Sequence, residues 1–126
     1  VDLVLCHKQR AKANVVESMK IIGDVKGKNV IILDDMVDTA GTITKAADLM
    51  IENGALSVRA FASHGVLSDP ATERIEKSKL TAIYFTDSIP LKKESEKIKV
   101  LSVAELIANT IINVNTNKSI SSSYLV

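Results

Sequence analysis

The stretch "NVIILDDMVDTAGTITKAADLM", residues 29–50, constrains the fold more than any other part of the chain. Val30-Ile31-Ile32-Leu33 is a continuous β-branched and aliphatic run, which suits a strand buried on both faces, as in a parallel sheet covered by helices. Beyond it Ile43, Ala46, Ala47, Met50 and Ile51 recur at helical spacing, and Gly54 follows as a stop signal. The loop between them joins the carboxyl end of a strand to the start of a helix, the place where open α/β sheets bind ligands. It gathers three aspartates, Asp34, Asp35 and Asp38, and closes with Thr39, Gly41 and Thr42.

Helix-start amides, a glycine-containing nest and threonine hydroxyls donate to an anion. Asp34 and Asp35 do the reverse and attract hydroxyl donors or a hydrated Mg²⁺. A ligand that satisfies both ends carries a phosphate and a pair of hydroxyls, as a sugar phosphate such as ribose 5-phosphate does. The plainer reading is a helix N-cap, for which one Asp or Thr suffices. Two further acids at a strand end are left unexplained by it. The segment has neither G-x-x-x-x-G-K-[ST] nor G-x-G-x-x-G. A phosphoaspartate nucleophile stays open, although nothing singles out one aspartate for attack.

At 126 residues the chain supports one domain or part of one, and 46% hydrophobic residues suffice for a core. Aromatics are 3%, with no tryptophan, so packing rests on Ile, Val, Leu and Ala, and stacking platforms for bases are scarce. A net charge of +1 gives no global attraction to nucleic acid or membrane. No apolar run reaches membrane-spanning length and no signal peptide is visible. The single cysteine, Cys6, rules out an internal disulfide and suits a reducing cytosol. Its neighbour His7 suggests a metal pair, but adjacent strand residues point to opposite faces.

Residues 2–6 read as a short buried strand and "HKQRAKAN" as a polar, basic loop. Residues 15–22 are open between a strand and a helix begun by Asn14 and Glu17. "GDVKGKN" turns into the Val30 strand. Residues 57–63 and 80–86 read as strands, with Asp69 as N-cap and Pro70 as first residue of a helix between them. Residues 98–103 enter a last helix marked by Ser102 and Glu105 at capping-box spacing. The alternation predicts an α/β fold, with a mostly parallel sheet flanked by helices and right-handed crossovers. Because Val1 lies inside an apparent strand, the chain is expected to be incomplete at its amino terminus.

In "HKQRAKAN", "LDDMVDTAGT", "ENGA", "SHGVLSDPA", "TDSIP" and "SISSSYLV" the chain resembles the carboxyl-terminal part of the ribose-phosphate pyrophosphokinases, or phosphoribosyl-pyrophosphate (PRPP) synthetases. The acidic segment is similar to the PRPP loop of type I phosphoribosyltransferase folds. The resemblance implies a phosphoribosyltransferase-like domain over residues 1–126, an absent amino-terminal ATP-binding domain, and a strand at residues 15–22. It implies transfer of the diphosphoryl group of ATP to ribose 5-phosphate, giving PRPP and AMP, with Mg²⁺ as cofactor. The implied setting is a cytoplasmic homo-oligomer, dimers building a hexamer, with no nucleic-acid or membrane partner.

On its own, Lys8 in a loop reads as a solvated charge. By the resemblance, Lys8 and Arg10 are the catalytic pair of a mobile Lys-x-Arg loop that closes over the reacting ATP, with Gln9 where some relatives carry Arg or Glu. Asp34, Asp35, Asp38, Thr39, Ala40, Gly41 and Thr42 are then the ribose 5-phosphate site, and Asp34 and Asp35 are candidate metal ligands. Ser121 and Ser123 are candidates for a regulatory phosphate or nucleotide site; a serine-rich terminus otherwise reads as disordered. Thr86, Asp87 and Ser88 resemble the family's cleft rim, which usually has Asn where this chain has Asp87. Asp69 replaces a common glycine. His64 reads as a hydrogen-bonded histidine near the cleft. Two rival classes are a non-catalytic regulatory relative and a PRPP-consuming phosphoribosyltransferase, which should lack the Lys-x-Arg loop.

Overall fold

The computed structural model describes residues 2–9 and 18–121. In chain order the elements are β1 (Leu5–Gln9), β2 (Ser18–Ile22), β3 (Asn29–Val37), α1 (Gly41–Glu52), β4 (Ser57–Gly65), α2 (Ala71–Lys77), β5 (Ala82–Thr86), β6 (Ile98–Leu101) and α3 (Ala104–Asn115). Strands β3-β4-β5-β6 form a parallel sheet in that order, and β1 and β2 form a separate antiparallel pair. Parallel neighbours need crossovers, which α1 and α2 supply between β3, β4 and β5. The expected α/β class, with a parallel sheet and flanking helices, is borne out.

Strand alternation sends Val58, Ala60 and Ala62 of β4 and Ile83 and Phe85 of β5 to one face, where they meet Ile43, Ala47 and Met50 of α1 and Ile75 of α2. The glycine at the end of β4 serves this packing. A Cβ on Gly65 would stand 2.9 Å from Cγ of Phe85, a buried ring. Lys97 closes the layer by donating to the carbonyls of Glu76 at 2.9 Å and Ser78 at 2.6 Å, satisfying acceptors at the end of α2.

The other face is largely exposed among the described residues. Leu33, Phe61, Tyr84 and Lys99 lie in register across it, and the rings of Phe61 and Tyr84 stack with centroids 4.5 Å apart. Leu33 is 77% and Ile31 61% exposed, so β3 is not buried on both faces as its sequence suggested. Within the apolar run, Val30 and Ile32 lean on the core, and Val37 at the end of β3 is buried in it.

Three further expectations are corrected. The strand expected buried at residues 2–6 begins at Leu5, with Leu3 and Leu5 exposed, and it belongs to the hairpin rather than the parallel sheet. Its ladder with β2 extends through His7, Lys8 and Gln9, which were expected in a loop. β2 gives residues 18–22 the strand conformation that the resemblance implied; residues 10–17 lie outside the described residues. Residues 98–101 form a fourth parallel strand, stabilised by pairing Ile98 with Ile83 and Val100 with Phe85.

The start of α3 is held differently from a capping box. Asp87 accepts from the Ser102 hydroxyl at 2.5 Å and from the Val103 amide at 3.0 Å. These bonds hold its carboxyl below the ordinary value of 3.8. Asp69, expected to cap α2, instead pairs with Lys93 at 2.7 Å, and Pro70 occupies the N-cap position. Among the described residues no helix is long and apolar enough to cross a membrane.

Candidate functional site

β3 runs on to Val37, so Asp34 and Asp35 are strand residues and only residues 38–40 form the connection to α1. This corrects the picture of all three acids in one loop. Strand alternation sends Asp34 and Asp35 to opposite faces. Asp34 is in register with Ala62, on the helix side, whereas Asp35 shares the side of Leu33. Both are exposed, and the Asp35 amide donates to Oδ1 of Asp34 at 3.0 Å.

A cavity of about 680 Å³ lies between β3, α1 and the hairpin. It is walled mostly by apolar side chains such as Val4, Val30, Ile43 and Met50, while Asp34 and Thr42 also line it. The structure therefore brings Asp34 and Thr42 to one concavity. Asp35 is not among its lining residues.

The connection carries backbone strain. Ala40 has φ 58°, in the left-handed region, and is buried at 4% exposure. A non-glycine residue adopts that conformation only where its surroundings impose it. Here they do so from two sides. Thr44 donates to the Ala40 carbonyl through its amide at 3.1 Å and its hydroxyl at 2.8 Å. Arg74 of α2 donates from Nη1 to the Thr39 carbonyl at 2.9 Å. α1 opens with no side-chain cap and no acid in its first turn. The N-cap explanation of these acids therefore fails, since the N-cap residue is Ala40.

At the neighbouring strand ends, Thr86 Oγ1 donates to the Ser63 carbonyl at 2.6 Å, and His64 Nδ1 lies 2.8 Å from Ser88 Oγ. His64 is thus a hydrogen-bonded histidine, as its plainer reading held. Met36, two residues after Asp34, pairs with His64 and puts this network beside the acidic segment.

Lys8 lies in β1 opposite Met19, and Arg10 is outside the described residues. The Ser121 amide donates to Ser119 Oγ at 3.2 Å, and Ser123 lies outside. Among the described residues no group of three His, Cys, Asp or Glu could hold a metal ion. The residue that sequence reasoning missed is Arg74. Within "TERIEK" it reads as surface charge, and no spacing links residue 74 to residue 39.

Residues 6–126 match the family described as the phosphoribosyl synthetase-associated domain. The chain is 57% identical over 124 residues to ribose-phosphate pyrophosphokinase of Porphyromonas gingivalis, covering 98% of this chain and 40% of that protein. It is 54% identical over 125 residues to the protein of the same name from Wolinella succinogenes, covering 99% and 40%. In structure it is similar to phosphoribosylpyrophosphate synthetase from Mycobacterium smegmatis, with a TM-score of 0.83 and 42% identity over 93% of this chain and 38% of that one. The chain spans about two-fifths of the length of the curated relatives it matches. The expected placement as a carboxyl-terminal part, incomplete at its amino end, finds no support in these matches and is withdrawn. With the match running through nearly every residue, the chain belongs to the phosphoribosyl synthetase-associated domain family.

Proposed function

We propose that this chain carries the sugar-phosphate site of a ribose-phosphate pyrophosphokinase, which transfers the diphosphoryl group of ATP to the 1-hydroxyl of ribose 5-phosphate and yields PRPP and AMP. The observation that carries the reading is the meeting of Asp34 and Thr42 on one concavity, at a strand's carboxyl end beside a helix without a side-chain cap. The names of the relatives support the reaction.

In this reading the amides of residues 39–42 and the hydroxyls of Thr39 and Thr42 receive the 5-phosphate. Asp34, which lines the concavity, accepts from a ribose hydroxyl; Asp35 is assigned to the ribose hydroxyls by resemblance alone. Asp38 orients the connection, since its charge opposes the phosphate. The 1-hydroxyl oxygen bonds to the β-phosphorus, the bond from that phosphorus to the α,β-bridging oxygen breaks, and AMP departs with that oxygen; the hydroxyl proton passes to water. Such a transfer asks the protein mainly for positioning and for neutralisation of spreading negative charge. By resemblance, Lys8 and Arg10 supply that neutralisation.

Mg²⁺ would add charge neutralisation on the phosphates. Asp34 and Asp35 on opposite faces of a strand would not hold one ion between them; Asp34 would meet an ion that arrives on a phosphate with its own waters. A cytoplasmic homo-oligomer is part of the same proposal. A PRPP-consuming transferase is the runner-up, since the same segment would hold PRPP as its substrate.

Calorimetry tests the reading. Ribose 5-phosphate should bind saturably, inorganic phosphate more weakly, and ribose not measurably. Equal binding of ribose, or none of ribose 5-phosphate, would refute a two-ended site.

A further inference from the structure

We propose that Arg74 is a positioning residue for the phosphate end of this site, an inference that rests on the sugar-phosphate reading above. The Arg74 guanidinium reaches from α2 to the Thr39 carbonyl at 2.9 Å. In a trans peptide the carbonyl and the following N–H point in opposite directions. Holding the Thr39 carbonyl therefore fixes the direction of the Ala40 N–H, which points away from Arg74. Ala40 is the residue whose left-handed backbone needs outside restraint, and the Arg74 bond supplies it from the amino side while Thr44 supplies it from the carboxyl side. The guanidinium also covers the helix start. A Cβ placed on Gly41 would lie 3.5 Å from Nη1 of Arg74.

The charge is available for this role. Lys77, on the same helix, pairs with Glu73, and Lys28, Lys79 and Lys93 each pair with a carboxylate. Among the described residues Arg74 enters no ion pair. Its interaction is with a backbone oxygen, so no carboxylate among the described residues neutralises its charge at the start of α1. A guanidinium suits this use because its planar fork can hold a carbonyl with one N–H and keep others free.

The test is calorimetry on the full chain with ribose 5-phosphate and, separately, inorganic phosphate, for the wild type, Arg74→Met, Arg74→Lys and Asp34→Asn. Arg74→Met should weaken both ligands by a similar factor of about tenfold or more, the scale of one charge-assisted hydrogen bond. Arg74→Lys should recover part of that loss. Asp34→Asn should weaken ribose 5-phosphate and leave inorganic phosphate nearly unchanged. The thermal midpoint of Arg74→Met should fall only slightly, as expected for one exposed hydrogen bond, and that of Arg74→Lys should fall equally. Wild-type affinity in Arg74→Met, alongside a weakened Asp34→Asn, would overturn the inference and leave the site reading intact. An affinity loss that Arg74→Lys does not recover at all, at a midpoint equal to that of Arg74→Met, would make Arg74 a structural residue and also overturn it. Absence of wild-type binding to either ligand would overturn the site and the inference together.

Discussion

Ala40 concentrates strain and proposed function at one residue. Its left-handed backbone aims the connection between β3 and α1, and its methyl is buried. A β-branched side chain tolerates that conformation far less well than alanine does. Ala40→Val should therefore destabilise the chain by about 1–3 kcal/mol in urea unfolding. An unchanged midpoint would mean that the connection relaxes freely and carries no strain. At this scale the sequence was informative about residue types and silent about directions. Asp34, Asp35 and Thr42 stood out because acids and threonines do not follow an apolar run without a reason. Their separation onto two faces of β3 depended on where the strand ends, and an acidic pair gives no local signal for a strand that continues through it. Arg74 was illegible because its partner is a backbone oxygen 35 residues away, supplied by tertiary packing alone.

Among the elements, those with a strong period were read well. α1 and its glycine stop showed in the spacing of Ile43, Ala46, Ala47 and Met50, and β4 in its small and branched residues. β6 was missed because a four-residue strand is too short to show a period, and the β5 partner that fixes it is remote in sequence. Two predictions belong here. Gly65→Ala would press a methyl on the buried Phe85 ring, so stability should fall by about 1–3 kcal/mol, read by thermal or urea unfolding. A neutral effect would show that β4 and β5 can part. The second concerns the tie between β5 and α3. The Asp87 carboxyl is held below 3.8, so its stabilisation is fully present above that value and is lost as pH falls through its lowered folded-state value. Amide exchange in α3 should accelerate on acidification below about pH 4. Asp87→Asn should flatten that dependence; an equal acid response in this variant would place the sensitive group elsewhere.

For the whole molecule, composition and alternation gave the class, and the parallel sheet followed from helices between strands. What covers each face did not follow. An apolar run states that a strand is apolar without stating what packs on it, and here α1 and α2 cover one face while Leu33 and Ile31 on the other stay exposed. The same limit applies to β1, which joined a hairpin instead of the sheet. The layer that does form is the one the proposed chemistry requires, because it seats the start of α1 against the end of β3 with Arg74 of α2 alongside. Residue-resolved NMR during a ribose 5-phosphate titration tests most directly whether that junction is the ligand site. Saturable shifts should concentrate in the amides of Asp34, Asp35 and residues 38–42, with smaller changes at Arg74 and none along β6. Saturable shifts confined to the largely exposed face around Phe61 and Tyr84, with the amides of residues 38–42 unmoved, would contradict it.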